Sequence, residues 1–152
     1  MASNPFHRIV VPTDFSDCAE RAWALAKRLA GSLGSEVVLA HILVEPIVYG
    51  DAALAADTTW QLFEQGRKWV EDELEKWASG ARAEGMAVRA IVRTGSANKE
   101  IVNLATDEGA ELIIMGTHGR SGLNRVLLGS VADRVIRFAP CPVLTVRTPD
   151  VE

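Results

Sequence analysis

"LIIMGTHGRSGLNRVLLGSVADRVIRFAPCPVLTV", residues 112–146, contains one full unit of the pattern that decides the fold. The apolar run Leu112–Met115 is followed by a glycine-rich loop, by an amphipathic segment that begins at Ser130, and by a second apolar run, Val143–Val146. Short apolar runs bounded by turn residues are typical of strands that are covered on both faces, as in parallel sheets. The stretch therefore predicts a strand, a helix and a second parallel strand.

The same alternation extends back to the start of the chain. Three earlier runs have the character of buried strands: Arg8–Val11, Val37–Leu43 and Ala87–Arg93. Because helical patterns separate all the strands, we predict a single doubly wound α/β domain over residues 1–152, with a five-stranded parallel sheet and four helices. We expect strands one and four at the centre of the sheet, where ligands bind outside the carboxyl ends of the strands.

The helix boundaries follow from capping residues and from apolar spacing. Ser16 and Ser130 are candidate N-caps for the first and the fourth helix, and the third helix begins near Ser96. The second helix is the longest, and its apolar stripe includes Trp60 and Trp77, which we expect in the core. Residues 45–58, between the second strand and this helix, are expected to form a loose connection.

Composition excludes several classes of protein. A net charge of −4 and a pI of about 5.4 argue against a general nucleic-acid binder or a protein of anionic membrane surfaces. No apolar run approaches the ~18 residues of a membrane span, and the first residues lack a signal-peptide profile. Cys18 and Cys141 lie far apart, so we expect two small buried side chains in a reducing cytoplasm, without a disulfide or a metal site.

The loop after the fourth strand lacks the familiar phosphate-binding motifs. It contains no G-x-x-x-x-G-K-[ST], and no G-x-G-x-x-G follows the first strand. It does read G-x-x-G-x(9)-G-S across Gly116, Gly119, Gly129 and Ser130. Glycine N–H groups can approach an anion closely, and Ser130 adds a hydroxyl and the positive end of a helix dipole.

Two interpretations of this loop remain open from the residues alone. One is a phosphate-binding loop, with Arg120 as a further candidate contact, and the other is a surface loop with turn glycines and a capped helix. The two explain the glycines about equally. The loop carries basic residues and no acidic residue, which favours phosphate slightly.

At these residues the chain resembles the ATP-binding branch of the universal stress protein family, whose pattern G-x(2)-G-x(9)-G-[ST] is met in full. The resemblance spans nearly the whole chain, through "IVVPTDFS" at residues 9–16, "VVLAHILVEP" at 37–46 and the block at 112–147. The last block is the specific one. The family's fold is a five-stranded parallel sheet in the order 3-2-1-4-5, which agrees with our central placement of strands one and four.

The resemblance also implies a ligand and its contacts. It implies ATP, with or without magnesium, and a homodimer built on the edge strand Val143–Val146. The residues implied on the adenosine side are Pro12, Thr13, Asp14 and Ile42, with Met115 at the floor of the pocket. Those implied at the ribose and phosphates are Gly116, Gly119, Gly129, Ser130 and Val131. From the residues themselves, Asp14 has an alternative role, because its carboxylate could close an Asx turn instead of meeting a ligand.

Three functions follow as hypotheses. The first is a cytoplasmic ATP-binding stress regulator with little or no turnover. The second is a slow ATP hydrolase or phosphotransferase that uses the same pocket, although the loop has no lysine and Asp14 is the only well-placed acid. The third is an interaction module without a nucleotide, which the intact glycine pattern disfavours.

Overall fold

The computed structural model describes residues 3–47, 53–119 and 128–149. Strands and helices alternate along these residues. The strands are β1 (Arg8–Pro12), β2 (Glu36–Leu43), β3 (Val88–Thr94), β4 (Leu112–Gly116) and β5 (Val143–Val146). The helices are α1 (Asp17–Leu33), α2 (Ala53–Ala83), α3 (Ala97–Asp107) and α4 (Ser130–Phe138).

The strands form one parallel sheet in the order β3-β2-β1-β4-β5. The fold class, the strand order and the central position of β1 and β4 are therefore confirmed. The chain leaves β1 toward β2 on one side and returns to β4 on the other, so strand order reverses between β1 and β4. That reversal leaves a crevice at the carboxyl ends of these two strands, where helices on opposite faces diverge.

Each face of the sheet is covered by two helices. One core layer joins α1 and α2 to side chains such as Val11, Leu39 and Ile114. The opposite layer joins α3 and α4 to Val10 and Ile113. All five of these strand side chains are fully buried, which explains why their strands are continuous apolar runs without alternating polar residues.

Local signals at the ends of α1 act as predicted. The hydroxyl of Ser16 accepts a hydrogen bond from the N–H of Ala19, at 3.2 Å, and so caps the helix. Gly34 ends the helix with φ of 68°, a left-handed conformation that suits glycine. Ser96 precedes α3 in an extended conformation, but its side chain makes no capping hydrogen bond.

Two expectations about α2 are wrong. The segment expected to be a loose connection is helical from Ala53 onward, while residues 48–52 lie outside the described part of the chain. Trp60 is 46% exposed and is not a core residue. Among the side chains of α2 that are described, from Asp57 onward, the first buried one is Val70, so the apolar stripe continues beyond the part of the helix that the sheet covers. Trp77 is partly buried against the core, as expected.

The cysteine prediction holds in part. Cys18 is buried and Cys141 is half-buried, and both thiols are free. Burial raises the pKa of the Cys141 thiol. Among the helices of the described residues, none is both long enough and apolar enough to cross a membrane.

The capping geometry predicts different effects for two serines. Replacing Ser16 with alanine removes an observed cap and should lower the free energy of unfolding by about 1 kcal/mol. Ser96→Ala is the matched control, because no cap is lost there, and it should cost less than about 0.5 kcal/mol. Urea denaturation of both variants tests this, and equal losses would contradict it.

Candidate functional site

A cavity of about 570 Å³ opens at the carboxyl ends of β1, β2 and β4, beside the first turns of α3 and α4. This is the crevice that the reversal of strand order creates. It is lined by Pro12, Thr13, Asp14, Ala19, His41, Ile42, Val44, Ala97, Ile101, Met115, Gly116, Thr117, His118, Gly119, Leu128, Gly129, Ser130, Val131 and Ala132. A volume in this range suits a small organic ligand.

The two sides of the cavity differ in chemistry. On the side of β2 and α3 the lining is apolar and includes Ile42, Val44 and Ile101. On the side of β4 and α4 it combines glycines, backbone and polar groups with the apolar side chains of Met115, Leu128 and Val131. The described lining contains no lysine or arginine, and Asp14 is its only carboxylate.

The turn after β1 presents Thr13 and Asp14 to the cavity. The N–H of Thr13 continues the sheet by donating to the carbonyl of Ala40, at 2.8 Å. The carbonyl of Thr13 accepts a hydrogen bond from Nδ1 of His41, also at 2.8 Å. One carboxylate oxygen of Asp14 accepts the N–H of Ser16 at 3.0 Å, which is the Asx turn considered above. Asp14 therefore closes the turn and also lines the cavity.

Phe15 lies in the left-handed region at the middle of this turn, with φ of 61°. A residue with a Cβ pays about 1–2 kcal/mol for this conformation, so contacts elsewhere must hold it. The N–H of Phe15 donates to the hydroxyl of Thr13 at 3.0 Å, and its ring contacts three other aromatic rings. Nothing in the sequence predicted this conformation.

Gly116, at the end of β4, is a glycine because α1 approaches it closely. A Cβ there would lie 2.9 Å from Sγ of Cys18 and 3.1 Å from its backbone carbonyl carbon. The Cys18 thiol donates to the carbonyl of Val146 at 3.0 Å. Burial acts to raise the pKa of this thiol, but hydrogen bonds from the His118 backbone, Thr148 and Thr117 together hold that pKa below its ordinary value.

Gly129, at the end of the glycine loop, contacts Thr117 at the beginning of the loop. Its N–H donates to the carbonyl of Thr117 at 2.8 Å, and a Cβ on Gly129 would lie 2.6 Å from the same oxygen. The amide of Gly129 is therefore already used within the protein. Gly119 lies beside the turn after β1, since its Cβ would be 2.7 Å from Oδ2 of Asp14. Its φ is outside the left-handed region, so backbone strain does not explain the glycine.

The start of α4 corrects one expectation. The N-cap residue is Gly129, not Ser130, and no side chain caps the helix. Ser130 is the first helical residue, followed by Val131, and both line the cavity. The first N–H groups of a helix have no partners within the helix and carry its positive partial charge. The end of α4 at the cavity is thus a site that favours an anion.

His118 is a loop histidine for which the sequence allows either a contact with phosphate or a solvated side chain, and it lines the cavity. Its Nδ1 lies 2.9 Å from the hydroxyl of Thr117. Its Nε2 is buried and has no hydrogen-bond partner in the described residues. A buried polar atom without a partner is costly, so this nitrogen is suited to a polar group of a ligand. The only signal in the sequence was its place in the glycine loop.

The structure brings together all the predicted site residues whose positions it describes. Arg120 lies outside the described residues. The remaining candidates all line the one cavity: Pro12, Thr13, Asp14, Ile42, Met115, Gly116, Gly119, Gly129, Ser130 and Val131. The contributions of α3, Ala97 and Ile101, were missed because their apolar spacing indicates core packing equally well. Within the described ranges, no three His, Cys, Asp or Glu side chains cluster closely enough to bind a metal ion.

Comparison with known proteins agrees with this architecture. The profile of the universal stress protein family matches residues 5–147. Universal stress protein MJ0531 of Methanocaldococcus jannaschii is 38% identical over 151 residues, which cover 98% of this chain and 86% of that protein.

Solved structures show the same fold over the whole domain. Protein MJ0577 of Methanocaldococcus jannaschii has a TM-score of 0.83 at 31% identity, with 99% of this chain and 100% of that chain covered. A universal stress protein of Archaeoglobus fulgidus, in complex with dAMP, has a TM-score of 0.62 at 26% identity, with 92% and 97% covered. By sequence and by fold, the chain belongs to the universal stress protein family.

Proposed function

We propose that this protein binds an adenine nucleotide, ATP above all, in the cavity beside α4, and acts as a nucleotide-dependent regulator with little turnover. The observation that carries the proposal is the meeting of the glycine loop, the helix start at Ser130 and the turn at Asp14 around one cavity. The complex of a related universal stress protein with dAMP supports the same ligand class.

The phosphates would lie at the start of α4. The N–H groups of Ser130 and Val131 and the hydroxyl of Ser130 supply donors there, and the helix dipole adds positive potential. Gly119 leaves room for a close approach, and Nε2 of His118 offers one more polar contact. The amide of Gly129 is engaged with Thr117, so we propose that Gly129 contributes space and not a donor.

The adenosine would lie toward β1 and β2. Ile42 and Met115 provide apolar surface for a base, while Pro12, Thr13 and Asp14 provide the backbone and the carboxylate beside it. A carboxylate next to a ribose can accept hydrogen bonds from its hydroxyl groups. Asp14 has a second oxygen besides the one that closes the turn, and this oxygen faces Gly119.

Magnesium would fit only as a companion of the phosphates. Mg²⁺ is commonly held by one or two carboxylates together with substrate phosphates and water. Asp14 is the one carboxylate of the described lining, and it would supply a single oxygen ligand. The metal would neutralise phosphate charge, which matters here because the described lining has no basic side chain other than histidine.

We also propose that the protein works in the cytoplasm as a homodimer. Free thiols at Cys18 and Cys141 suit a reducing compartment. β5 pairs with β4 on one side, and the carbonyls of Pro142 and Val146 accept hydrogen bonds from amides at Ile113 and Thr117. Because such bonds alternate along a strand, Val143 and Thr145 direct their backbone groups away from β4, toward a second chain.

The first prediction from the proposed function concerns the affinity for ATP. Gly119→Val should weaken ATP binding more than about tenfold, because its side chain would displace Asp14 and occupy space at the phosphates. Ser130→Ala should weaken ATP binding less, since this variant keeps the backbone N–H of residue 130. Its free energy of unfolding should change by less than about 0.5 kcal/mol, because Ser130 is not the N-cap of α4. Titration calorimetry with ATP measures both affinities.

Gly80→Val is the matched control for Gly119→Val. Gly80 lies on α2 with nothing within 4 Å of its Cβ position, so the same chemical change should leave ATP affinity unaltered. Undetectable binding to the unmodified protein at millimolar ATP, with no nucleotide in the purified protein, would contradict the proposed function and favour an interaction module without a nucleotide.

The second prediction concerns turnover. Hydrolysis of Mg–ATP should be far below the enzyme median of ~10 per second, because the described lining lacks a lysine and its one carboxylate accepts the Ser16 amide. Release of inorganic phosphate measures the rate, with Asp14→Asn as the reference for background. A rate near that median, lost in Asp14→Asn, would favour the hydrolase or phosphotransferase instead.

The third prediction concerns assembly. Light scattering at micromolar concentration should give about twice the chain mass of 16.4 kDa. Thr145→Pro should give the mass of one chain, since it removes an outward N–H and leaves the bonds between β4 and β5 intact. A mass of one chain for the unmodified protein would contradict the dimer.

A further inference from the structure

The left-handed turn at Phe15 is the most strained described part of the site. Phe15 is the only non-glycine residue with positive φ among the described residues, and its neighbours Thr13 and Asp14 both line the cavity. Two hydrogen bonds close the turn, from the Phe15 amide to the Thr13 hydroxyl and from the Ser16 amide to Asp14. A bulky residue in this conformation persists only where its surroundings hold it.

Aromatic contacts supply that restraint. The Phe15 ring stacks on His41 with centroids 5.3 Å apart. It also meets Trp69 and Trp77 edge-to-face, at 5.4 Å and 5.3 Å. Trp77 packs against the main core, but Trp69 is 50% exposed. The contact with Phe15 therefore explains why a large, half-exposed aromatic side chain occupies position 69 of α2.

We propose that Phe15 and Trp69 are positioning residues for the nucleotide site. Trp69 on α2 holds the Phe15 ring, the ring holds the left-handed turn, and the turn holds the Asp14 carboxylate and the Thr13 backbone at the cavity. Trp69 itself does not line the cavity. This inference rests on the proposed function for its effect on affinity, but the restraint on the turn exists with or without a ligand.

The same helix offers a matched control. Trp60 also lies on α2, is 46% exposed, and meets a phenylalanine edge-to-face at 5.5 Å. Its partner is Phe63, within α2 itself, whereas the partner of Trp69 belongs to the turn after β1. Trp60→Ala and Trp69→Ala thus remove similar rings and similar contacts, and only the second removes a contact with the site.

The first measurement is ATP affinity by calorimetry. Trp69→Ala should weaken binding about threefold to tenfold, the range that corresponds to the loss of one aromatic pair. Trp60→Ala should leave the affinity unchanged, and Trp69→Phe should restore most of it, because a ring remains at the contact. Equal affinities for Trp69→Ala and the unmodified protein would overturn the inference.

The second measurement needs no nucleotide. Amide hydrogen exchange by NMR should be at least about threefold faster at Phe15 and Ser16 in Trp69→Ala, because both amides donate within the restrained turn. Their exchange in Trp60→Ala should be unchanged. Unchanged exchange in Trp69→Ala would overturn the inference. Faster exchange in a protein that does not bind ATP would support the restraint and contradict the proposed function alone.

Discussion

The hydrogen bond from the Gly129 amide to the Thr117 carbonyl determines where the site can form. It joins the end of β4 to the start of α4 across the intervening loop, at 2.8 Å. A Cβ on Gly129 would lie 2.6 Å from the carbonyl oxygen, so this approach requires glycine. Because of it, the positive end of α4 faces the crevice between β1 and β4 instead of solvent.

A second close approach joins the start of α1 to the end of β4. Cys18, in the first turn of α1, occupies the space in which a Cβ of Gly116 would lie, and its thiol donates to the carbonyl of Val146 on β5. The Cys18 side chain is therefore the contact through which α1 packs against the ends of β4 and β5. Gly116 and Gly129 of the family pattern thus serve packing of the protein itself, and both line the cavity together with Gly119. The same spacing can satisfy both the surface-loop and the phosphate interpretation.

Much of this fold is predictable from sequence because β1, β2 and β4 are buried on both faces. Because helical patterns separate these apolar runs, the runs are assigned as strands. The strand order followed from the resemblance, and the position of the loops indicated the central place of β1 and β4. The predicted site residues with described positions share one cavity for a related reason, since the carboxyl ends of parallel strands lie on one edge. The spacing of the glycines and the serine predicts a phosphate-binding loop only together with the family resemblance, because the spacing suits packing equally well.

The wrong or missed predictions concern burial, helix capping and backbone conformation, which depend on contacts with other elements of the structure. Trp60 continues an apolar stripe, yet the stripe does not show where the sheet stops covering α2. Ser130 has the residue type of a cap, but the helix begins one residue earlier than that role requires, at Ser130 itself, with Gly129 as the N-cap bonded to Thr117. The left-handed Phe15 has no local signal at all, because rings on β2 and α2 hold it from outside its own segment.

The most direct measurement is a crystal structure of the protein with a non-hydrolysable ATP analogue. We predict phosphate oxygens within about 3.2 Å of the Ser130 and Val131 amides and the base against Ile42, with the bond between Gly129 and Thr117 retained. Phosphates bound elsewhere, or a cavity without the analogue at millimolar concentration, would contradict it.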